Sequence, residues 1–433
     1  MATVQARVLK GFRDYLPVAD IPRQRVLRTI SEVFESFGFA PLTTPALEYS
    51  EVLLGKYGEE GDKLLYRFED NGKRDVALRY DLTVPLARVV AQHRDLEVPF
   101  KRYQIAPVWR AEKPGKGRFR EFLQCDVDIV GEPSIRADAE CLTVGLEVMK
   151  ALGVPGVVAR VNNRKILDGL LDGLGIEGTE RRHDVLRIVD KLPKIGRDGV
   201  SKELSEALDL DLDAQEKLFD FMALDVSEGL DAVLDAVGDS EEGRLGCEEL
   251  NMLLTLLDGV GLGDKVEVDL SIARGLDYYT GTIYETFVLG HESYGSVMSG
   301  GRYDTLLGMF LKKSSPAVGI SVGIDRLLSL LTEIGVIEGR AGSADIFAVL
   351  FDEESYAPLQ KTAQVLRSQG VKVEVSLKPA KLGKQFKYAE RKGYRWVLIA
   401  GAGDLDANTI GLKDLETGEQ VTLPLEDISA AIR

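Results

Sequence analysis

A chain of 433 residues that is 45% hydrophobic and 29% charged is too long for one core and too apolar for disorder, so two or three domains are expected. Its formal net charge of −16 excludes a protein that coats nucleic acid indiscriminately, because such binding is supplied by Lys and Arg at the phosphates; any nucleic-acid contact must be local. Cys125, Cys141 and Cys247 have no CxxC or Cys/His spacing suited to zinc or a disulfide framework, and no metal site is expected. No apolar run nears the roughly 20 residues of a membrane helix and MATVQARVLKGFRDYLP carries no apolar leader, so a cytoplasmic location without membrane contact is expected.

Residues 1 to 335 mix long helical patterns with Gly-punctuated alternating strands. An amphipathic helix leads into FGFAPLTTPALE, which holds Pro45. Further on, KRYQIAPVWRAEKPGKGRFREFLQCDVDIVG (101 to 131) has two strand-like halves around the turn KPGKG and predicts a β-hairpin. Alternation sends Phe119, Leu123, Cys125, Val127 and Ile129 to one face, and Arg118, Arg120, Phe122, Gln124, Asp126 and Asp128 to the other. The first face is core. The second is either a solvated surface or a pocket floor that binds an anion, stacks a flat ring and accepts a cation.

Residues 176 to 236 lack strand signals and carry acid-rich helical segments such as SKELSEALDLDLDAQEKLFDFMALD, which predicts a helical insertion. RGLDYYTG (274 to 281) and SGGRYD (299 to 304) are each open to a bland reading, a strand with core aromatics and a glycine turn with a satisfied tyrosine. PAVGISVGIDRLLSLL (316 to 331) runs as a Gly-bearing strand into a helix whose first turn carries Arg326, so a guanidinium and a helix N-terminus can meet phosphate oxygens together.

Residues 336 to 344, with GRAGSA at their end, break the pattern as a linker, and an α/β domain is expected over 345 to 433. Its order is strand IFAVLF, helix YAPLQKTAQVLRSQG, strand VKVEVSL, a basic helix and strand WVLIAG, which predicts a parallel sheet. Between Lys378 and Arg395 seven basic residues face one acid, Glu390. Lys381, Lys384 and Lys387 recur every third residue near one helical face, with Pro379 in the expected first turn. Charge alone leaves this helix as either a solvated face or a nucleic-acid contact.

The motifs together resemble a known family. Arg110 and Glu112 in VWRAE, with Arg118 and Phe122 beyond the loop, are similar to motif 2 of class II aminoacyl-tRNA synthetases; Pro45 is similar to the motif 1 proline of the dimer interface, and the Arg326 segment to motif 3. RGLDYYTG and SGGRYD resemble the two histidine-specific signatures of histidyl-tRNA synthetases, and the resemblance spans essentially the whole chain. It implies an α+β fold: a catalytic domain on an antiparallel sheet over residues 1 to 335, interrupted by the helical insertion, then an anticodon-binding α/β domain.

The implied activity is ATP-dependent ligation of L-histidine to tRNA(His) through a histidyl-adenylate, by a homodimer. Mg²⁺ would travel with the ATP, and the protein would hold no tightly bound metal of its own. By resemblance, Arg110 and Arg274 clamp the α-phosphate and the carboxylate and carry the catalysis. Arg118 and Arg326 hold the γ-phosphate, Phe122 stacks the adenine and Glu112 helps fix the nucleotide. Asp81, Thr83 and Gln124 take the ammonium end of histidine, while Asp128, Tyr278 and Tyr279 surround its ring. Many bacterial members carry Glu where this chain has Asp81 and Asp128. The Asp form, in QCDVDIVG, is closer to the eukaryotic-type branch, and ring contacts are expected to be longer or bridged by water. Lys381, Lys384, Lys387 and Arg391 would meet tRNA, with Tyr388 and Trp396 as base-stacking candidates.

Three rival readings are weighed against this one. A regulatory paralogue in histidine biosynthesis would lack the C-terminal domain and the arginine signature. A tRNA sensor would not need Arg110, Arg118, Arg274 and Arg326 together. Another class II synthetase would lack RGLDYYTG.

Overall fold

The computed structural model describes residues 4–55, 61–115, 118–227, 229–273, 278–310 and 314–432. The chain divides into two compact units, Met1–Arg13 with Leu27–Val336 and Asp14–Val26 with Ile337–Arg433.

The first unit contains the strands β1 (Ala40–Pro41), β2 (Leu47–Tyr49), β3 (Arg67–Glu69), β4 (Asp75–Leu78), β5 (Phe100–Trp109), β6 (Glu121–Val130), β7 (Val157–Asn163), β8 (Val266–Val268), β9 (Thr282–Val288), β10 (Met298–Arg302) and β11 (Ala317–Gly323). Eight of them form one sheet in the order β1-β5-β6-β11-β10-β9-β7-β8, antiparallel between neighbours except at β1–β5 and β7–β8. A small antiparallel sheet, β2-β4-β3, lies beside the entry to the helix Thr83–Gln92 in the chain. This is the α+β class expected.

The predicted hairpin is β5–β6, paired from Phe100↔Val130 to Trp109↔Glu121. Its apolar face is core at Cys125, Val127 and Ile129, each at most 2% exposed, while Phe119 and Leu123 nearer the turn are half-buried. The helix Ile135–Ala151, capped where Ser134 accepts from Arg136 N–H, packs on β6, β10 and β11. The charged face is no more open, for Asp126 and Asp128 are each 3% exposed. At the Asp126–Asp128 end both faces of the hairpin are therefore interior, whereas Phe122 and Gln124 are half-buried and Arg118 is exposed, so the polar face reads as a recess opening toward the turn.

Between β7 and β8 the chain is helical from Arg164 to Gly259 among the described residues, a longer run than acid-rich patterning marked. Its first helix, Arg164–Gly173, is charge-balanced and amphipathic, while its last, Glu241–Gly259, is acidic but lies beyond the segment that patterning marked.

The second unit holds β12 (Ile346–Ala348), β13 (Val373–Val375), β14 (Trp396–Ile399), β15 (Thr409–Asp414) and β16 (Gln420–Pro424), ordered β13-β12-β14-β15-β16. β12 pairs in parallel with β13 and β14, as βαβ spacing predicts. The last two strands add an antiparallel hairpin, so the sheet is mixed and not wholly parallel. The turn signal for that hairpin, Thr417-Gly418 with Gly418 at φ +80°, is present in the sequence. The core gathers Ile346, Leu350, Leu366, Leu398 and Leu412 between sheet and helices.

Candidate active site

The recess on the polar face of β6 is made by what stands opposite it. On one side β5 places Arg102 across from Asp128, Gln104 across from Asp126 and Ala106 across from Gln124. On the other, β11 places Gly319, Ser321 and Gly323 across from the same three residues. Period-two pleating thus matches three small residues of VGISVG to three polar side chains of QCDVD, leaving room above them. A Cβ on Gly319 would sit 2.7 Å from Asp128 Cγ and 2.9 Å from the Val127 carbonyl oxygen, so glycine is required there by close approach.

Asp128 is engaged from two directions. Arg102 Nη2 pairs with its Oδ2 at 2.7 Å, and the Tyr303 hydroxyl donates to its Oδ1. Burial pushes the Asp128 carboxyl up, while Arg102 and the Tyr303 phenol pull it back down. Asp126 is pushed up to about 7, first by burial, against the pull of Arg102 and with the neighbouring Asp128 adding to the rise. A relay fixes these groups: Gln124 Nε2 donates to Ser321 Oγ at 3.2 Å, and Ser321 Oγ donates to Asp126 Oδ1 at 2.5 Å. Gln124 Oε1 is buried and has no hydrogen-bond partner among the described residues, so it is an acceptor left for a ligand.

The other wall comes from Asp81 and the tyrosines. Asp81 is 1% exposed and accepts the Val84 N–H at 3.0 Å at the start of the helix Thr83–Gln92, which holds its carboxylate in place. The Tyr278 hydroxyl donates to Asp81 Oδ2 at 3.5 Å. Tyr278 packs edge-on against Tyr279, with centroids 5.4 Å apart, and against Tyr303 at 5.8 Å. Burial and then Asp81 raise the Tyr278 phenol well above its ordinary value, and burial with Asp128 raises Tyr279, so both remain neutral donors. Asp81, Thr83, Gln124, Asp128, Tyr278 and Tyr279 are therefore brought to one recess, rich in carboxylate and aromatic edge and suited to a small cationic or N–H-bearing ligand.

The nucleotide candidates are distributed along the same hairpin. Arg110 lies with its guanidinium 4.3 Å from the Tyr80 ring centroid and 5.0 Å from that of Phe122, and its Nε donates to Tyr80 O at 3.2 Å. Phe122 packs on Leu82, Ala106 and Val108, presenting a fixed aromatic ring. Arg118, 57% exposed, stands 3.7 Å from Glu112, a loose pair that an anion could compete for. Arg326 follows β11 in the first turn of the helix Ile324–Glu333, as expected, and donates from Nη1 to Ser296 O at 2.9 Å. Arg274 lies outside the described residues.

Pro45 is exposed, its carbonyl accepting from Arg79 Nη1 at 3.3 Å. In the second unit the basic helix is Leu382–Lys392, with Lys381 as an extended N-cap. Pro379 thus precedes the helix and is not in its first turn. Lys381, Lys384, Lys387 and Arg391 are exposed while Gln385 and Ala389 face the core, so the four basic groups share the outer side. Tyr388 is not available for base stacking: its hydroxyl donates to Glu374 at 2.6 Å and its ring packs on Phe347. Trp396 is likewise packed against the core, under Arg395. Tyr388 is drawn inward by the apolar side of its helix, and Trp396 by a central strand that is apolar on both faces.

Sequence reasoning missed Arg102, Tyr303 and Ser321. The signal existed only as register. Once β5, β6 and β11 are aligned, Arg102 and Ser321 fall opposite the two aspartates; in SGGRYD, alternation turns Tyr303 to the recess and Arg302 to the far side, where it pairs with Asp138.

A mostly antiparallel sheet with such a recess, followed by a mixed five-stranded domain, is the architecture of the class II aminoacyl-tRNA synthetases. Residues 11–327 match the histidyl-tRNA synthetase family and residues 345–433 the anticodon binding domain. The chain is 44% identical over 421 residues to histidine-tRNA ligase of Rhodopirellula baltica, covering 96% of this chain and 95% of that protein. It is 44% identical over 425 residues to the ligase of Wolinella succinogenes, covering 97% and 96%. The crystal structure of histidyl-tRNA synthetase from Nostoc sp. PCC 7120 superposes with a TM-score of 0.89 at 37% identity, covering 99% of each chain. The chain belongs to the histidyl-tRNA synthetase family.

Proposed function

We propose that the chain attaches L-histidine to tRNA(His) at the expense of ATP, the reaction its family is named for. A histidine carboxylate oxygen attacks the α-phosphorus and diphosphate leaves; a hydroxyl of the tRNA 3′-terminal ribose then attacks the carbonyl carbon of the adenylate and AMP leaves. The observation that carries the reading is the recess itself, where Asp81, Gln124, Asp128, Tyr278 and Tyr279 converge beside Arg110. Asp81, Thr83 and Gln124 take the ammonium group, and Asp128 with the two tyrosines takes the ring. Polar groups left unpaired by an isosteric substrate give discrimination on the order of 10⁴ without editing.

Arg110 and Arg274 align the two anions and stabilise charge building on the α-phosphoryl oxygens. Arg118 and Arg326 hold the γ-phosphate, Phe122 stacks the adenine and Glu112 fixes the nucleotide; Mg²⁺ arrives with the ATP. Residues 1–335 then form the catalytic domain with its helical insertion, 336–344 the linker and 345–433 the anticodon-binding domain. There the outward basic face of Leu382–Lys392 contacts tRNA. The enzyme works in the cytoplasm as a homodimer, with Pro45 at the interface. Among the described residues no helix is long and apolar enough to cross a membrane. ATP–diphosphate exchange run with each amino acid tests the reading: exchange with histidine alone is expected, and none with any amino acid overturns it.

A further inference from the structure

Arg102 is fully buried and is among the bulkiest fully buried side chains of the described residues. Its Nη2 pairs with Asp128 Oδ2 at 2.7 Å and lies 3.3 Å from the carbonyl oxygen of Leu82, while Nε and Nη1 have no acceptor among the described residues. That differs from an arginine that serves packing. Arg302, equally buried, spends its nitrogens on Asp138, Asp304 and the carbonyls of Glu132 and Ser134. Arg102 instead sits with donors in reserve beside two carboxylates, since Asp126 also feels its charge.

We propose that Arg102 is a positioning residue for histidine recognition, holding Asp128 ionised and in place so that the carboxylate accepts the N–H of the imidazole ring. The inference rests on the histidine reading above. A desolvated carboxylate with no cation beside it takes up a proton, and a protonated acid presents an O–H where the ring needs an acceptor. An ionised carboxylate offers about four lone-pair sites. The Tyr303 phenol uses one on Oδ1, and Oδ2, which Arg102 faces as an ion pair, accepts no hydrogen bond among the described residues, so each oxygen keeps a site for a ring nitrogen. Arg102 also reaches Leu82, which stands between Asp81 and Thr83, so one guanidinium ties the ring end of the recess to its ammonium end. Among the described residues, none of the phosphate-binding candidates Arg110, Arg118 and Arg326 is bonded to it, which separates its effect from ATP binding.

The test is ATP–diphosphate exchange with Arg102→Met and Arg102→Lys. Methionine fills the space without charge and should raise KM for histidine by on the order of 10² while KM for ATP stays within about threefold; lysine, which keeps the charge, should recover most of the loss. A histidine KM within about threefold of the parent in Arg102→Met overturns the proposal, as does a parallel rise in both KM values, which marks a structural role. Should Arg102→Met fail to fold, Arg102→Gln, which also removes the charge, takes its place with the same outcomes: a rise in histidine KM with ATP KM unmoved supports the role, and equal changes or none overturn it. The parent enzyme separates the two levels, because absence of histidine-dependent exchange there sinks the functional reading itself.

Discussion

Gly319→Ala adds one methyl group at the point where β11 passes Asp128. The new Cβ would stand 2.7 Å from Asp128 Cγ, against roughly 3.5–4.0 Å for ordinary carbon contact, so the carboxyl must withdraw by about 1 Å. Neither the 2.7 Å pair with Arg102 nor the Tyr303 bond survives such a shift. Loss of one charge-assisted hydrogen bond is worth about 1.5–3 kcal/mol, which converts to a fall of on the order of 10 to 10² in kcat/KM for histidine. The Val127 carbonyl oxygen, 2.9 Å from the same Cβ, is backbone and cannot swing aside, so overpacking should also lower the unfolding free energy by about 1–3 kcal/mol. Exchange kinetics at varied histidine and at varied ATP, with urea denaturation in parallel, read both effects. ATP KM should be unchanged. A folded variant with histidine KM within about twofold of the parent would refute the reasoning, since Asp128 would then not be the carboxylate that meets the ring.

Tyr303→Phe removes only the phenol that donates to Asp128, and histidine KM should rise by about tenfold with little change in thermal stability; an unaltered KM would return Tyr303 to simple packing. Asp126, at about 7 in the folded protein against 3.8 as an isolated carboxyl, binds its proton more tightly folded than unfolded. Its contribution to stability is thus full below about 3.8 and lost as pH rises through about 7. Asp126→Asn should flatten the urea midpoint across that window, and a midpoint that varies with pH as in the parent would show the group is not the source. Neutralising Lys381, Lys384 and Lys387 together should weaken tRNA binding and reduce its logarithmic salt slope by roughly one unit per lost phosphate contact; an unchanged slope returns the helix to a solvated face.

Local pattern carried much of this protein. The hairpin Phe100–Val130 was legible because both strands alternate around a Pro/Gly turn, and Arg326 because a Gly-bearing strand meets an amphipathic helix. The outward basic helix was legible from a charge run too dense for a core. Its start was not, because Pro379 also suits the extended approach that precedes Lys381. The hairpin β15–β16 went unread for a similar reason: Thr417-Gly418 marks a turn, but burial of Gln420–Pro424 is too slight to leave an alternating pattern.

By itself the sequence determined which residues could do the chemistry, since Asp, Arg, Gln and Tyr at the spacing of strands and caps are properties of the chain one segment at a time. Which carboxylate pairs with a guanidinium, and what else holds it, was decided only in three dimensions. Asp126 and Asp128 are two residues apart and chemically identical, yet only Asp128 lies across from Arg102 and under Tyr303, while Asp126 lies across from Gln104 and Ser321. That difference arises from the pairing of β5, β6 and β11, strands separated by up to about 200 residues of chain, and a shift of one residue in either register would turn the polar set to the opposite face.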